Sequence, residues 1–277
     1  METILQALVM GIVQGLTEFL PVSSSGHLII VPYLLGWNDP FITSLEFSVV
    51  LHIGTLVALL AYFRSDWARL VPAGLAALRD RSFAADADRR LAWLLAAATV
   101  PALVIGFLLE GLIEDRFRQV GLVALMLVVG GAILWLAERN GSRTRDIGGL
   151  TFPLAVGIGV AQAAALVPGI SRSGISISAG LFAGLDRESA ARFSFLMATP
   201  ITALAAAWEV RKLVTGESGV AVEPLPLVVG MVASLVAGFI AIAVLLRFLR
   251  SNPTHVFVVY RLLLAAVVAV AWLGLVG

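Results

Sequence analysis

Of 277 residues, 60% are apolar and 13% are charged, and the mean hydropathy is +0.98; an ordinary soluble domain carries roughly 25% charged residues, so a water-soluble globule is excluded. Nineteen Lys and Arg against eighteen Asp and Glu leave a formal charge of +1, with no basic tail or cluster to follow a phosphodiester backbone, so nucleic acid is not an expected partner. Cysteine is absent, which removes disulfides, thiol nucleophiles and thiolate metal sites.

In chain order, apolar runs fall near residues 3–20, 22–36, 44–63, 91–109, 119–137, 149–167, 174–185, 193–210, 225–247 and 255–276. The opening METILQALVMGIVQGL has neither the basic start nor the small-residue cleavage site of a signal peptide, so the first run is expected to be kept. About 20 apolar residues make a helix long enough to cross a hydrocarbon layer ~30 Å thick. The second and seventh runs are too short to span comfortably, and each is tied to its predecessor by a proline and a serine-glycine cluster instead of a charged loop. The expected architecture is an all-α polytopic membrane protein with six transmembrane helices and two re-entrant helical hairpins. Non-helical backbone at membrane depth survives only when buried in protein or lining a wet cavity, because lipid offers its amides no partners.

The two hairpins resemble each other. QGLTEFLPVSSSG at 14–26 lies over QAAALVPGISRSG at 162–174, matching Gln14 with Gln162, Ser23 with Ser171, Ser25 with Ser173 and Gly26 with Gly174. The chain reads as one membrane domain over 1–277, built from repeats at 1–142 and 143–277. Each repeat has one hairpin and three crossings, and an odd number of crossings inverts the second copy relative to the first. With that topology the loops at 64–90, 138–148, 184–192 and 247–255 share a face and hold thirteen Lys or Arg; the opposite loops, at 36–44, 110–118 and 211–223, hold Arg116, Arg118, Arg211 and Lys212. Short loops rich in Lys and Arg stay in the cytoplasm, so the first hairpin is expected to enter from outside and the second from the cytoplasm.

Between Thr3 and Asn38 the formally charged side chain is Glu18, and between Ile147 and Leu185 it is Arg172. Charges at membrane depth are costly and usually pair with each other or serve a site; a structural ion pair clamping the repeats is the plainer alternative. Around Arg172, the string PGISRSG brings Gly169, Ser171, Ser173 and Gly174, with Ser176 one helical turn beyond. Glycine admits close approach of backbone amides, serine adds donors, and a guanidinium fork matches phosphate oxygens, so the string reads as an oxyanion cradle. In the first hairpin Gln14 and Glu18 share a helical face at i, i+4, and SSSGH at 23–27 places Ser24 three residues before His27, where a hydroxyl meets an imidazole if the return is helical. Glu18 is a candidate metal ligand, general base or orienter of His27. His52 is read as structural, at most a cavity-lining residue, and Glu46 as interfacial.

QGLTEFLPVSSSGH followed by PGISRSG resembles the undecaprenyl-diphosphatase family, integral membrane phosphatases associated with bacitracin resistance, with patterns (E/Q)xxxE, PVSSxGH and PGxSRSxxT. The likeness runs over nearly the whole chain, including FSFLMATP at 193–200. It implies hydrolysis of undecaprenyl diphosphate to undecaprenyl phosphate and inorganic phosphate, recycling a lipid carrier for peptidoglycan. It also implies Glu18, Ser24, His27 and Arg172 as catalytic-site residues, with Gln14, Ser23, Ser25, Gly26, Gly169, Ser171, Ser173, Gly174 and Ser176 around the substrate. A divalent cation, Mg²⁺ or Ca²⁺, is expected to bridge Glu18 and the phosphates. Gln14 stands where many members carry glutamate, and Ser176 where the pattern ends in threonine. The nucleophile is open between Ser24 activated by His27, which is preferred, His27 itself, and a water activated by Glu18. The implied setting is the bacterial plasma membrane, with a polyprenyl diphosphate and membrane lipids as partners and the site open to the extracytoplasmic side; a homodimer is compatible with it. Inverted repeats with broken helices are also the architecture of secondary carriers, so a transporter or lipid flippase is the rival reading and a structural scaffold the third.

Overall fold

The computed structural model describes residues 1–116, 119–214 and 223–276, without the side chains of 109–116, 209, 212–214 and 275–276. Arg118 and the side chains of Arg116 and Lys212, three of the four basic residues expected on the sparse face, thus lie outside the described residues. Eleven α-helices follow one another among the described residues, with no strand: α1 (Glu2–Phe19), α2 (Ser24–Leu35), α3 (Leu45–Tyr62), α4 (Arg64–Asp80), α5 (Ala87–Arg116), α6 (Val120–Asn140), α7 (Phe152–Gln162), α8 (Arg172–Phe182), α9 (Arg187–Val214), α10 (Pro224–Leu249) and α11 (His255–Val276). Six of them, α3, α5, α6, α9, α10 and α11, are long and apolar enough to cross a membrane. They are the six runs read as crossings, and the protein is an all-α, multi-pass membrane protein.

Helix α4 departs from the loop expected over 64–90. Arg64, Asp66 and Arg69 keep its hydropathy low, yet Leu70 and Ala77, seven residues and two turns apart, are buried on one face against the next helix. Asp66 accepts from Arg69 Nη2 at 2.9 Å and Arg192 Nη2 at 2.5 Å, which pins this helix to α9. The stretch 110–118, also read as loop, is helical as far as Arg116.

Close packing depends on small residues, as in membrane bundles where backbones must approach without a water-driven push. Helix α1 lies along α10, and a Cβ on Gly11 would stand 2.3 Å from the Gly230 carbonyl oxygen and one on Gly15 2.5 Å from that of Ser234. Helix α7 lies along α5 in the same way, a Cβ on Gly159 falling 2.0 Å from the Ala98 carbonyl oxygen. Helix α3 packs on α9, and α6 on α11. The largest apolar cluster holds Phe19 at the end of α1 edge-on to Phe195 of α9, ring centroids 5.4 Å apart. These contacts fix the two non-helical turns, Leu20–Ser23 between α1 and α2 and 167–171 between α7 and α8, in the interior.

Candidate active site

Each turn ends in a serine with positive φ, Ser23 at 78° and Ser171 at 74°. A β-carbon disfavours that region, and each serine is held there as an N-cap: Ser23 Oγ accepts from Gly26 N at 3.3 Å, and Ser171 Oγ accepts from Gly174 N at 3.1 Å. Capping satisfies one of the orphan amides at a helix start and sets the first turn of α2 and of α8. The turns also bond to each other. Gly169 N donates to Ser23 Oγ at 3.1 Å, and Ser173 Oγ donates to the Leu20 carbonyl at 3.0 Å.

That contact brings Glu18, the last turn of α1, against Arg172, the first residue of α8. Arg172 Nη2 donates to Glu18 Oε1; Ser24 Oγ donates to Glu18 Oε2, which also accepts from Gln14 Nε2 at 3.1 Å. Arg172 Nη1 has no hydrogen-bond partner among the described residues. His52, expected to be structural or at most to line the cavity, does line it and faces the same carboxylate, with Nε2 3.6 Å from Glu18 Oε2. Its Nδ1 lies 2.8 Å from the Ser48 carbonyl, which accepts only, so Nδ1 carries hydrogen. Nε2 is thereby left as the second donor of an imidazolium or as a lone pair for a cavity ligand.

A cavity of about 370 Å³ opens beside this cluster. Glu18, Ser24, Ser25, His52, Ser171 and Arg172 form its polar wall, while Leu45, Val49, Ala102, Leu166, Ile201 and Ala205 supply apolar walls from α3, α5, α9 and the 3₁₀ turn Ala163–Leu166. A small volume with convergent polar groups on one side and an apolar slot on the other suits a charged head carrying a long hydrocarbon tail.

Five of the residues named from sequence, Glu18, Ser24, Ser25, Ser171 and Arg172, line this cavity, and the other eight lie behind it. The hydrogen bond expected between Ser24 and His27 is not formed. His27 is 4% exposed, with Nδ1 2.7 Å from the Ser23 carbonyl and Nε2 2.7 Å from the Tyr260 hydroxyl. The α2 start explains this: at the first position of the helix Ser24 points back to α1, while His27 turns toward α11. Ser176 is fully buried, its hydroxyl donating to the Arg172 carbonyl and sharing a 2.6 Å bond with Ser194. Gly169, at φ 100°, has no room for a β-carbon, which would meet the Val123 carbonyl oxygen at 2.6 Å, and at Gly26 and Gly174 the nearest neighbours would stand at 3.2 and 3.0 Å, tight contacts that those side chains would have to relieve.

Two residues missed from sequence stand out. Arg261 of α11 is 0% exposed and donates to carbonyl oxygens of Leu127, Pro21, Met126, Gly169 and Ile170, bracing both turns and α6 with one guanidinium. The criterion that marked Glu18 and Arg172, a lone charge inside an apolar run, marks Arg261 within 255–276 too. Gln162, used only to align the two hairpins, contributes to the cavity wall.

A divalent cation has a modest set of protein donors here. Among the described residues no group of three or more His, Asp or Glu gathers. Glu18 is the one carboxylate at the cavity, and Gln14 Oε1, one helical turn before it, is buried with no partner. Both are the kind of hard oxygen that an ion such as Mg²⁺ accepts, and such an ion would draw the rest of its shell from water and substrate phosphates.

The family model described as "Bacitracin resistance protein BacA" matches residues 7–267. The chain is 44% identical to an undecaprenyl-diphosphatase of Moorella thermoacetica over 98% of this chain and 99% of that protein. It is 46% identical to one of Gemmatimonas aurantiaca, over 96% and 97%, and 45% identical to one of Pelobacter propionicus, over 99% of each.

Proposed function

This chain belongs to the BacA family of bacitracin resistance proteins, and we propose that it hydrolyses undecaprenyl diphosphate to undecaprenyl phosphate and inorganic phosphate in the bacterial plasma membrane, recycling the carrier lipid and conferring bacitracin resistance. The observation that carries the chemistry is the three-way contact of Ser24, Glu18 and Arg172 at one cavity.

Ser24 Oγ is the nucleophile. It attacks the terminal phosphorus, the bond from that phosphorus to the bridging oxygen breaks, and the electron pair leaves with the polyprenyl phosphate. Glu18 Oε2, already accepting the Ser24 hydrogen bond, takes the proton. Glu18 passes that proton to the oxygen of the departing polyprenyl phosphate and, ionised again, takes one from the water that attacks the phosphoserine. The bond from phosphorus to Ser24 Oγ breaks, Oγ recovers its hydrogen from Glu18, and inorganic phosphate leaves. Arg172 has Nη2 on Glu18 and Nη1 free, so an arriving phosphoryl oxygen shares the guanidinium with the carboxylate. That sharing weakens the hold on Glu18, making it a better proton acceptor, and stabilises charge on the transferring group. His27 acts through position: bonded on both nitrogens, it fixes the Ser23 turn against Tyr260. A divalent cation held by Glu18 and Gln14 Oε1 would neutralise charge on the diphosphate.

The same reading includes an inverted repeat with halves 1–142 and 143–277 and re-entrant hairpins at α1–α2 and α7–α8. Its support is the matched pairing of α1 with α10 and α7 with α5, and the matched caps at Ser23 and Ser171. The cavity wall includes Leu45 at the start of α3 and Ala205 in the later part of α9, next to the loops poor in Lys and Arg, so the site opens to the extracytoplasmic side. The chain has no cysteine, which makes the topology easy to test: a thiol placed by Asn38→Cys is expected to react with an impermeant reagent in intact cells, and one placed by Ala84→Cys only after permeabilisation. The reverse labelling would overturn the orientation. For the chemistry, purified protein in detergent has no gradient to exploit, so phosphate released from a polyprenyl diphosphate marks a hydrolase, and binding without release marks a carrier.

A further inference from the structure

We infer that Gln162 is a direct contact for the diphosphate head, its amide donating to a phosphoryl oxygen. The inference rests on the hydrolase reading and adds to it a residue that the motifs do not contain.

In the first turn Gln14 spends its amide hydrogen on Glu18. In the second turn Gln162 occupies the matching place, four residues before Leu166, which stands where Glu18 stands in the first. Leucine offers no acceptor. Gln162 is 2% exposed, and among the described residues neither Nε2 nor Oε1 has a hydrogen-bond partner, although Gln14, its counterpart, keeps one. Buried amides almost always find partners, and each exception calls for a cause. The cause here is location: Gln162 ends α7 where the helix tightens into the 3₁₀ turn, and its side chain forms part of the wall of the cavity that holds Arg172 and Ser24. The terminal torsion of glutamine is broad, so the amide can turn to a ligand seated beside Arg172, whose Nη1 is also unpartnered. Two unpaired donors, one charged and one neutral, on residues that line the same cavity match an anion with several oxygens once the side chains turn to it. The amide oxygen then faces a water or a protonated phosphoryl oxygen.

The test compares Gln162→Met and Gln162→Glu with the wild type in detergent, by thermal unfolding with and without methylenediphosphonate and by steady-state phosphate release. Methionine keeps the volume and removes the amide. It is expected to unfold at or above the wild-type temperature, to lose most of the stabilisation that methylenediphosphonate gives, and to raise KM about tenfold with kcat little changed, as for loss of one hydrogen bond to a charged group. Glutamate, facing the phosphates, is expected to lower kcat/KM about a hundredfold. A Gln162→Met protein that melts earlier, or that answers methylenediphosphonate as the wild type does, overturns the assignment. A wild type that binds the diphosphonate yet releases no phosphate overturns the hydrolase reading instead, leaving the contact to be judged by the melting data alone.

Discussion

The two turns share a backbone and divide the chemistry. Both place a serine at positive φ, both cap the next helix with it, and both keep a glycine three residues further on. At matched positions, however, the first carries Glu18, Ser24 and His27 where the second carries Leu166, Arg172 and Ile175. One turn thus holds the carboxylate and hydroxyl, the other the guanidinium, and the cross-turn bonds from Gly169 N and Ser173 Oγ bring them within hydrogen-bonding reach. The first turn needs no second carboxylate once the opposite turn supplies the cation.

That division is broken most severely at the first turn. Ser24→Ala is expected to lower phosphate release by about 10³-fold or more, and Glu18→Gln by about 10²- to 10⁴-fold, the range for loss of a nucleophile or a positioned base. Stopped-flow or radiolabel assays on folded protein decide it; a Ser24→Ala enzyme with wild-type kcat would move the attack to water. The same substrate assay on His27→Gln is expected to show a far smaller drop, because an amide can keep one of the two bonds now made to Ser23 and Tyr260. At the second turn Arg172→Lys retains the charge and loses the fork, with an expected fall in kcat/KM of about 10²-fold. Equal losses for Arg172→Lys and Arg172→Ala would mean the paired geometry carries the whole effect.

An intermediate effect sharpens what the single carboxylate does. Chelation is expected to abolish phosphate release, with Mg²⁺ or Ca²⁺ restoring it. Gln14→Glu places a second carboxylate one turn before Glu18 and is expected to lower the metal concentration for half-maximal activity several-fold, since added ligand charge tightens a hard-cation site. An unchanged metal requirement would remove Gln14 from the donor set.

The crossings were legible because their signal is additive: some 20 apolar residues leave no alternative in lipid. The turns were legible because Glu18 and Arg172 are charges where charge is expensive, and because the two strings repeat. Helix α4 was hidden, since a charged helix with one buried face has no hydropathy peak and shows itself only through Leu70 and Ala77 on a shared side. Side-chain pairing was hidden as well. A spacing of three made Ser24 and His27 neighbours along a helix, but the helix begins at Ser24, and Tyr260, 233 positions after His27, claims its ring. Long-range partners such as Tyr260 and Arg261 leave no trace in local spacing.

Ser176 gives the smallest expected effect and separates wall from support. It lies one turn after Arg172, as a substrate-binding hydroxyl would, yet it is fully buried between the Arg172 carbonyl and Ser194 and lies behind the cavity. Its two bonds tie the start of α8 to α9, so removing the hydroxyl leaves Ser194 short of a partner and loosens the base on which the guanidinium stands. Ser176→Ala is expected to cost about 1 kcal/mol of stability, seen as a lower unfolding temperature, while KM changes less than about twofold because no bond to substrate is lost. Ser176→Thr keeps the hydroxyl but adds a methyl to a site with 0% exposure, so it should retain the hydrogen bonds and test the room around them. A rise in KM with unchanged melting in Ser176→Ala would place this hydroxyl on the substrate after all and extend the cradle one turn along α8.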